Sequence, residues 1–418
     1  MDGDRISSES PMHHKSKKIK TTHQIETPED GETLNLPPEI IMEILSRLPV
    51  KSLLKFRCVS KSWLSLISSS QFIKTHLKNS TNNAILSSHR LVLTICNPHF
   101  DLKLCSVQSL MFEHLTLVSD VDYPKKNPHR AVWIVGSCNG LICIAIDEND
   151  MFLWNPSTRT SKKLPPAAVK MKQGFYYIWG FGYNEFDDDY KVVGIFSVFG
   201  NGCVYESVVK VYSLRTNSWK RIEDFKGGIP LDDSGKFASG KLHFPATQGM
   251  LDSKWDIVSL DLKSEVYGIV EQPNYGEGPF DSSLGVLGGC ICVLCDYQKT
   301  QADLWVLKEY GIKESWTKVV TIPYIDDPGK YLYSHPLCML PNGEILLVFG
   351  MQLVVYNPKD NCFRHPETGN LGPFLEADIY VESLPVFSRA LKPGLEWCCD
   401  QDLLQQEMES QIICKSDD

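Results

Sequence analysis

Apolar and polar positions follow two rhythms along the chain, one helical and one strand-like. The helical rhythm comes first. Ile40, Ile41, Ile44, Leu45 and Leu48 fall at i, i+1, i+4, i+5 and i+8, one broad apolar face on a short helix. Pro38 suits the first turn of that helix, where a missing N–H costs nothing, and Asn35 and Glu39 place acceptors near its positive end. Pro49 stops it. Lys51 to Val59 predict a second helix carrying Leu53, Leu54, Phe56 and Val59, and Ser60 caps a third carrying Trp63, Leu64, Leu66 and Ile67. A module of about 40 residues rarely buries enough surface to be stable alone. Part of this apolar set is therefore expected to be core and part a docking face.

After residue 80 the pattern changes to short runs of Val, Ile and Leu punctuated by Gly, Pro, Asn and Asp. The runs recur about every 50 residues: Leu91 (LVLT), Leu141 (LICIAI), Val192 (VVGIF), Leu242 (LHF), Ile291 (ICVLC) and Ile345 (ILLVF). A second element recurs behind them, at Trp154-Asn155-Pro156, Tyr212-Ser213-Leu214, Ser259-Leu260-Asp261, Trp305-Val306-Leu307 and Tyr356-Asn357-Pro358. Most copies lead through a polar turn to Trp219, Tyr267, Trp316 or Phe363, which read as packing between repeats rather than as ligand contacts. Such a period with about four short strands per unit predicts propeller blades, each burying faces it cannot cover alone. Six repeat starts predict six blades, and Asp378–Phe387 is expected to close the ring on the first. The fold class is thus a small all-α module followed by an all-β propeller.

Charge and composition narrow the function. A net charge of -9 argues against a general phosphate-binding surface, and basic–aromatic interleaving is missing, so no nucleic-acid partner is expected. The first twenty residues are polar and basic, unlike a signal peptide. The longest apolar run, Ile345 to Tyr356, is broken by Gly350 and Gln352, so no membrane partner is expected either. The 14 cysteines then read as thiols of a reducing compartment, cytoplasm or nucleus. Cys292 and Cys295 form a lone C-x-x-C inside a strand-like run, and buried strand thiols are expected there rather than a metal or redox site. Cys398 and Cys399 lie in an uninformative tail. Asp187-Asp188-Asp189 reads as a hairpin tip rather than a catalytic or calcium site. The chain carries no G-x-S-x-G, H-E-x-x-H or Walker loop, so no catalytic residue, metal or cofactor is expected. Residues 1–33 read as a polar, basic tail, in which Lys15-Ser16-Lys17-Lys18-Ile19-Lys20 is either a nuclear import signal or solvated charge. Residues 389–418 read as a second tail.

Both regions also carry family resemblances. Leu36-Pro37, then Ile40, Ile44, Leu45, Leu48 and Pro49, then Lys51-Ser52-Leu53, Arg57, Val59, Lys61 and Trp63 resemble the F-box, which docks on the Skp adaptor of cullin–RING ubiquitin ligases. The resemblance covers residues 34–78 and departs at Ser60, where many relatives have Cys. It implies that Leu36, Pro37, Ile40, Ile44, Leu45, Leu48, Pro49 and Leu53 face the adaptor, while Val59 and Trp63 pack inside. Gly136-Ser137-Cys138-Asn139-Gly140-Leu141 with Trp154-Asn155-Pro156-Ser157-Thr158, Val211 through Trp219, and Asp303 through Leu307 resemble the plant F-box-associated domain over residues 84–388. This is similar to the plant group that includes S-locus F-box and F-box/kelch proteins, although only Gly288-Gly289 gives a kelch-type double glycine.

The combination implies a non-catalytic substrate receptor, joined through Skp to a cullin and a RING protein and presenting an unidentified target. The alternatives are a Skp-bound scaffold that delivers no ubiquitin, and a propeller enzyme. Recognition is expected on loops at one mouth of the propeller, with 170–179, 199–205, 272–280 and 324–334 as candidates.

Overall fold

The computed structural model describes residues 36–147, 150–169, 175–200, 203–231, 234–248, 254–276, 280–324, 336–384 and 398–399. The basic run at 15–20 and nearly all of 389–418 lie outside them. Backbone contacts divide the chain into Met1–Ile41 and Met42–Asp418. In the first unit the Pro37 carbonyl accepts from Ile40 N–H (3.0 Å) and Ile41 N–H (3.1 Å), opening helix α1 (Pro38–Leu45). The second unit holds α2 (Val50–Phe56), α3 (Lys61–Ile67), α4 (Ser70–Thr81) and the sheets. Ser60 caps α3 as expected, its hydroxyl accepting from Trp63 N–H at 3.1 Å, and Ser69 caps α4 in the same way through Phe72 N–H at 3.2 Å.

The rest is mostly β-propeller. Phe374–Val381, His89–Ile95, Asp101–Ser106 and Ser119–Asp120 form the first four-stranded sheet. Val132–Cys138, Leu141–Ile146, Asp150–Asn155 and Thr160–Lys163 form the second, with the backbone of Cys398–Cys399 paired on its outer edge. The third run is Phe175–Asn184, Asp189–Gly200, Cys203–Ser213 and Ser218–Arg221. The fourth is Ser234–Ala238, Lys241–Thr247, Asp256–Asp261 and Tyr267–Val270. Ser234 and Gly235 pair in parallel with Trp179 and Gly180, which joins these two runs into one sheet of nine strands, the ninth being Ile229–Pro230 beside Lys241–Thr247. Asp281–Leu287, Cys290–Asp296, Gln301–Leu307 and Trp316–Pro323 follow, then Cys338–Met339, Ile345–Phe349, Gln352–Asn357 and Cys362–Arg364. Each of the recurring runs read from the sequence takes second place in its run of four. The closing strand begins at Phe374, four residues before the expected Asp378, and Pro385–Phe387 lie outside the described residues.

The apolar core is divided among clusters shared by consecutive sheets. Leu141 and Leu153 meet Trp179 and Phe181, Ile195 and Val209 meet Leu242 and Phe244, and Ile257 meets Ile291 and Val293. Leu294 and Leu304 meet Ile345 and Leu347, and Leu346 and Val355 meet Leu91 and Phe374. Val92 and Leu102 against Ile142 and Trp154 complete the cycle. Strand alternation makes this possible, because successive side chains serve opposite neighbours.

Closure is secured by signature residues of the second sheet. Asn139 (φ 51°) and Gly140 (φ 80°) form a left-handed hairpin turn against the end of the closing strand. Ser383 donates its hydroxyl to the Asn139 carbonyl at 3.0 Å, the buried Asn155 donates Nδ2 to the Ser383 carbonyl at 3.1 Å, and Ser137 donates to the Ile379 carbonyl at 2.6 Å. A Cβ on Gly140 would meet Ser383 Oγ at 2.0 Å and the Val381 carbonyl at 2.9 Å, whereas Gly289 (φ 81°) faces open space.

Gly140→Ala should therefore lower the propeller's thermal midpoint by at least about 5 °C, since steric displacement adds to the roughly 1–2 kcal/mol left-handed cost. Gly289→Ala should show the backbone cost alone. Equal shifts in the two variants would contradict the latch. A second test concerns His243, which is wholly buried, with Nε2 2.8 Å from the Tyr310 hydroxyl and Nδ1 3.1 Å from the Lys236 carbonyl. Burial lowers its pKa from 6.5 to about 4. A depressed histidine contributes stability that is complete above about pH 6.5 and is lost as pH falls toward 4. Chemical denaturation should show about 2 kcal/mol of this loss between pH 7 and 5, absent in His243→Gln. An identical pH slope in the variant would remove the assignment.

Candidate functional site

The helices have a core of their own and an uncovered remainder. Leu45, Val50, Leu53, Ile67, Phe72 and Ile73 are buried. Leu36, Ile40 and Ile44 are 48%, 46% and 48% exposed, Pro37 and Pro49 are exposed, and Leu48 is half-buried. Ile40 and Ile44 stand one turn apart on α1. Two expected adaptor contacts, Leu45 and Leu53, are therefore core residues, because each lies on the buried face of its short helix, at 2% and 0% exposure. Val59, expected in the core, is 62% exposed: it follows the end of α2 and falls in the turn before Ser60. Trp63 is half-buried, edge-to-face with Phe56 at 5.6 Å.

Helix α4 was not expected, yet it ties the module together. His76 Nε2 lies 2.9 Å from the Leu48 carbonyl, and Asn79 donates Nδ2 to Ser46 Oγ at 2.8 Å. Its sequence signal is Ser69 as cap and the helical spacing of Phe72, Ile73 and His76.

The connections between strands separate into two ends. At one end lie short turns: Asn139-Gly140, Ser239-Gly240, Gly288-Gly289 and 185–188. The helices join at this end, and Lys74 of α4 pairs with Asp188 at 3.6 Å. At the other end the connections are longer, including 121–131, 164–174, 271–280 and 324–337. The described parts of the loops considered for recognition belong to this second end; 170–174, 201–202, 277–279 and 325–335 lie outside the described residues. Trp133 and Leu375 are exposed there on adjacent inner strands, where Ile134 N–H donates to Glu376 Oε2 at 3.4 Å.

The remaining chemistry-bearing groups are engaged in structure. Cys292 and Cys295 point to opposite faces of their strand, into different apolar clusters, and burial pushes both thiols up to about 12. The Asp187-Asp188-Asp189 run divides its work. Asp187 accepts from Asn184 Nδ2 at 2.7 Å, while Asp188 meets Tyr183 and Lys74. Asp189 is buried, accepting from Ser213 Oγ at 2.6 Å and Arg215 N–H at 2.8 Å. The hairpin-tip reading thus holds for the first two carboxylates, whereas the third fixes the next turn. Asp378 sits on the closing strand; burial raises its pKa, opposed by the charge of Lys236.

Comparison with known proteins matches residues 33–75 to the F-box domain and residues 91–381 to the F-box associated beta propeller domain. The Arabidopsis thaliana F-box/kelch-repeat protein At3g23880 is 32% identical, over 84% of this chain and 95% of its own. F-box protein CPR1 of the same plant is 33% identical, over 72% of this chain and 76% of its own. Among solved structures, the SapL1 lectin aligns at 10% identity and a TM-score of 0.42, covering 68% of this chain and 93% of its own. An oligogalacturonate lyase aligns at 10% and 0.40, covering 69% and 76%. Neither protein's activity transfers to this chain at such similarity.

Proposed function

Because the chain belongs to the F-box proteins that carry an F-box-associated β-propeller, we propose that it is the substrate-recognition subunit of an SCF-type cullin–RING ubiquitin ligase. The observation that carries this reading is the pair of half-exposed isoleucines on α1, Ile40 and Ile44, beside the equally exposed Leu36. Each still has roughly 1 kcal/mol of burial to gain from a partner. The Skp-adaptor face then comprises Leu36, Pro37, Ile40, Ile44, Leu48 and Pro49. A cullin and a RING protein join through the adaptor.

The propeller, in this reading, has six blades, one for each recurring run of four strands, with Phe374–Val381 completing the first. A target docks on the long connections at the end away from the helices. The chain performs no chemistry of its own. Tethering raises the effective concentration of target lysines at the ubiquitin-charged enzyme. Assembly takes place in the cytoplasm or nucleus, where the buried thiols stay reduced.

The test is calorimetric binding of the full chain to a plant Skp adaptor. Ile40→Asp/Ile44→Asp should weaken binding at least about 100-fold, as expected for charges placed in an apolar contact, with the propeller's melting unchanged. Wild-type protein that does not bind, or a double variant that binds equally well, would reject the reading.

A further inference from the structure

A groove of about 420 Å³ lies where α2 meets the propeller. Val50, Lys51 and Leu54 of α2 line it from the helical side, and the propeller supplies Leu104, Leu117 and the turn Pro156–Arg159. Leu117 is 74% exposed there. Apolar surface in this position gains from being covered.

The helices bring an unbalanced charge to the groove. Over residues 42–81 seven lysines and arginines stand against one carboxylate, Glu43, in a protein of net charge -9. Arg47 pairs with Glu43, and Lys74 with Asp188. Lys51 and Lys55 stand one turn apart on α2, both exposed, and neither has an ion pair among the described residues.

The chain itself supplies the opposite charge at the edge of the groove. Cys398 and Cys399 pair antiparallel with Ser161 and Thr160 on the outer edge of the second sheet. Thr160 directly follows the turn Pro156–Arg159, so the chain leaves Cys399 beside a wall of the groove. The 19 residues that follow, 400–418, lie outside the described residues. They hold six carboxylates against Lys415. Leu404, Met408 and Ile412 recur among them at every fourth position, the spacing of one helical face. Five residues of chain reach up to about 17 Å, which brings Leu404 within range of a groove whose wall adjoins Thr160.

We propose that residues 400–418 fold back into this groove as a strap, their apolar side chains covering Leu54 and Leu117 and their carboxylates facing Lys51 and Lys55. The occupant is this chain's own acidic segment. The strap holds the helices to the ring at a second place, besides the Lys74–Asp188 pair. The contact lies within the chain and does not rest on the receptor reading.

The test compares the full chain with one ending at Cys399, by amine acylation read by mass spectrometry. Lys51 should label at least about threefold faster in the shortened chain, because a tethered segment competes at high effective concentration. The exposed Lys359 should label equally in both. The same rise at Lys51 is expected in full-length Leu404→Ser/Met408→Ser/Ile412→Ser, which keeps every charge of the segment. A synthetic peptide of residues 400–418 should bind the shortened chain saturably and restore the protection, and Lys51→Glu/Lys55→Glu should weaken that binding at least about tenfold. Equal labelling of Lys51 in all three chains, a peptide that does not bind, or a serine-substituted peptide that binds as well as the original would overturn the proposal. Protection of Lys51 that rises with protein concentration would overturn it too, by assigning the groove to a second copy.

Discussion

The architecture depends on one antiparallel pairing between strands almost 290 residues apart in sequence, His89–Ile95 with Phe374–Val381. Each of the other runs of four is built from strands consecutive in sequence, with the backbone of Cys398–Cys399 added only at the outer edge of the second. The first is not, because its innermost strand comes from the far end of the chain. The clusters on either side of that sheet are complete only when this pairing forms, since Phe374 belongs to one and Tyr380 to the other. The latch around Ser383 follows from the same need. The closing strand has no successor in its own sheet to hold its end, so Asn139, Gly140 and Asn155 of the neighbouring sheet hold it instead.

A second device keeps consecutive sheets in register. The recurring polar turns share one construction: a side-chain acceptor at the strand end, then a left-handed residue four positions later. Asn155 Oδ1 accepts from Thr158 N–H, Ser213 Oγ from Thr216 N–H, Asp261 Oδ1 from Ser264 N–H and Asn357 Oδ1 from Asp360 N–H. Arg159, Asn217, Glu265 and Asn361 are the left-handed residues. In the third and fourth runs this turn, and in the fifth a longer connection ending in the 3-10 turn Lys313–Ser315, delivers the aromatic residue of the outer strand to the connection arriving from the previous sheet. Trp219 donates Nε1 to the Pro165 carbonyl at 2.7 Å, Tyr267 its hydroxyl to the Glu223 carbonyl at 3.2 Å, and Trp316 Nε1 to the Glu271 carbonyl at 2.8 Å. Lys191 adds a buried tie between the third and fourth runs, donating to the Leu262 carbonyl at 2.6 Å and pairing with Glu265 at 3.0 Å.

These two devices explain what was legible in the sequence. The period of about 50 found the second strand of every run because that strand is covered on both faces and is nearly all apolar, as in Leu141–Ile146. Turn chemistry was legible because a left-handed position selects few residue types. The helical module was less so. Periodicity placed Leu45 and Leu53 on apolar faces but could not say which side of a short helix α4 would cover, because α4 itself is weakly apolar and was missed. Without it, Leu45 and Leu53 look equivalent to Ile40 and Ile44. Val59 failed for a different reason: it continues the apolar spacing of α2, but the helix ends at Phe56 and the side chain leaves the face. The closing strand was found from its composition and misplaced by four residues, since Phe374-Leu375-Glu376-Ala377 lacks the β-branched run that Ile379-Tyr380-Val381 supplies.

The two ends of the propeller are constrained by different kinds of contact. At the end that carries the short turns, Asn139-Gly140 and the Asn155 turn are fixed by closure, and Asp188 by its pairing with Lys74, so little can change there without loosening the ring or the module's seat. Among the described residues, the connections at the other end are anchored too, in part through the backbone alone. Some of those anchors are single carbonyls, such as those of Pro165, Glu223 and Glu271, which any residue can supply through its backbone, while others are side chains, such as the buried Tyr275 and Arg130 paired with Asp147. A position that supplies only its carbonyl places little demand on its side chain, so size and charge can change there while the sheet beneath stays the same. The short-turn end, by contrast, uses the side chains of Asn155 and Ser383 and the missing Cβ of Gly140, so there the constraint of folding falls on residue identity itself.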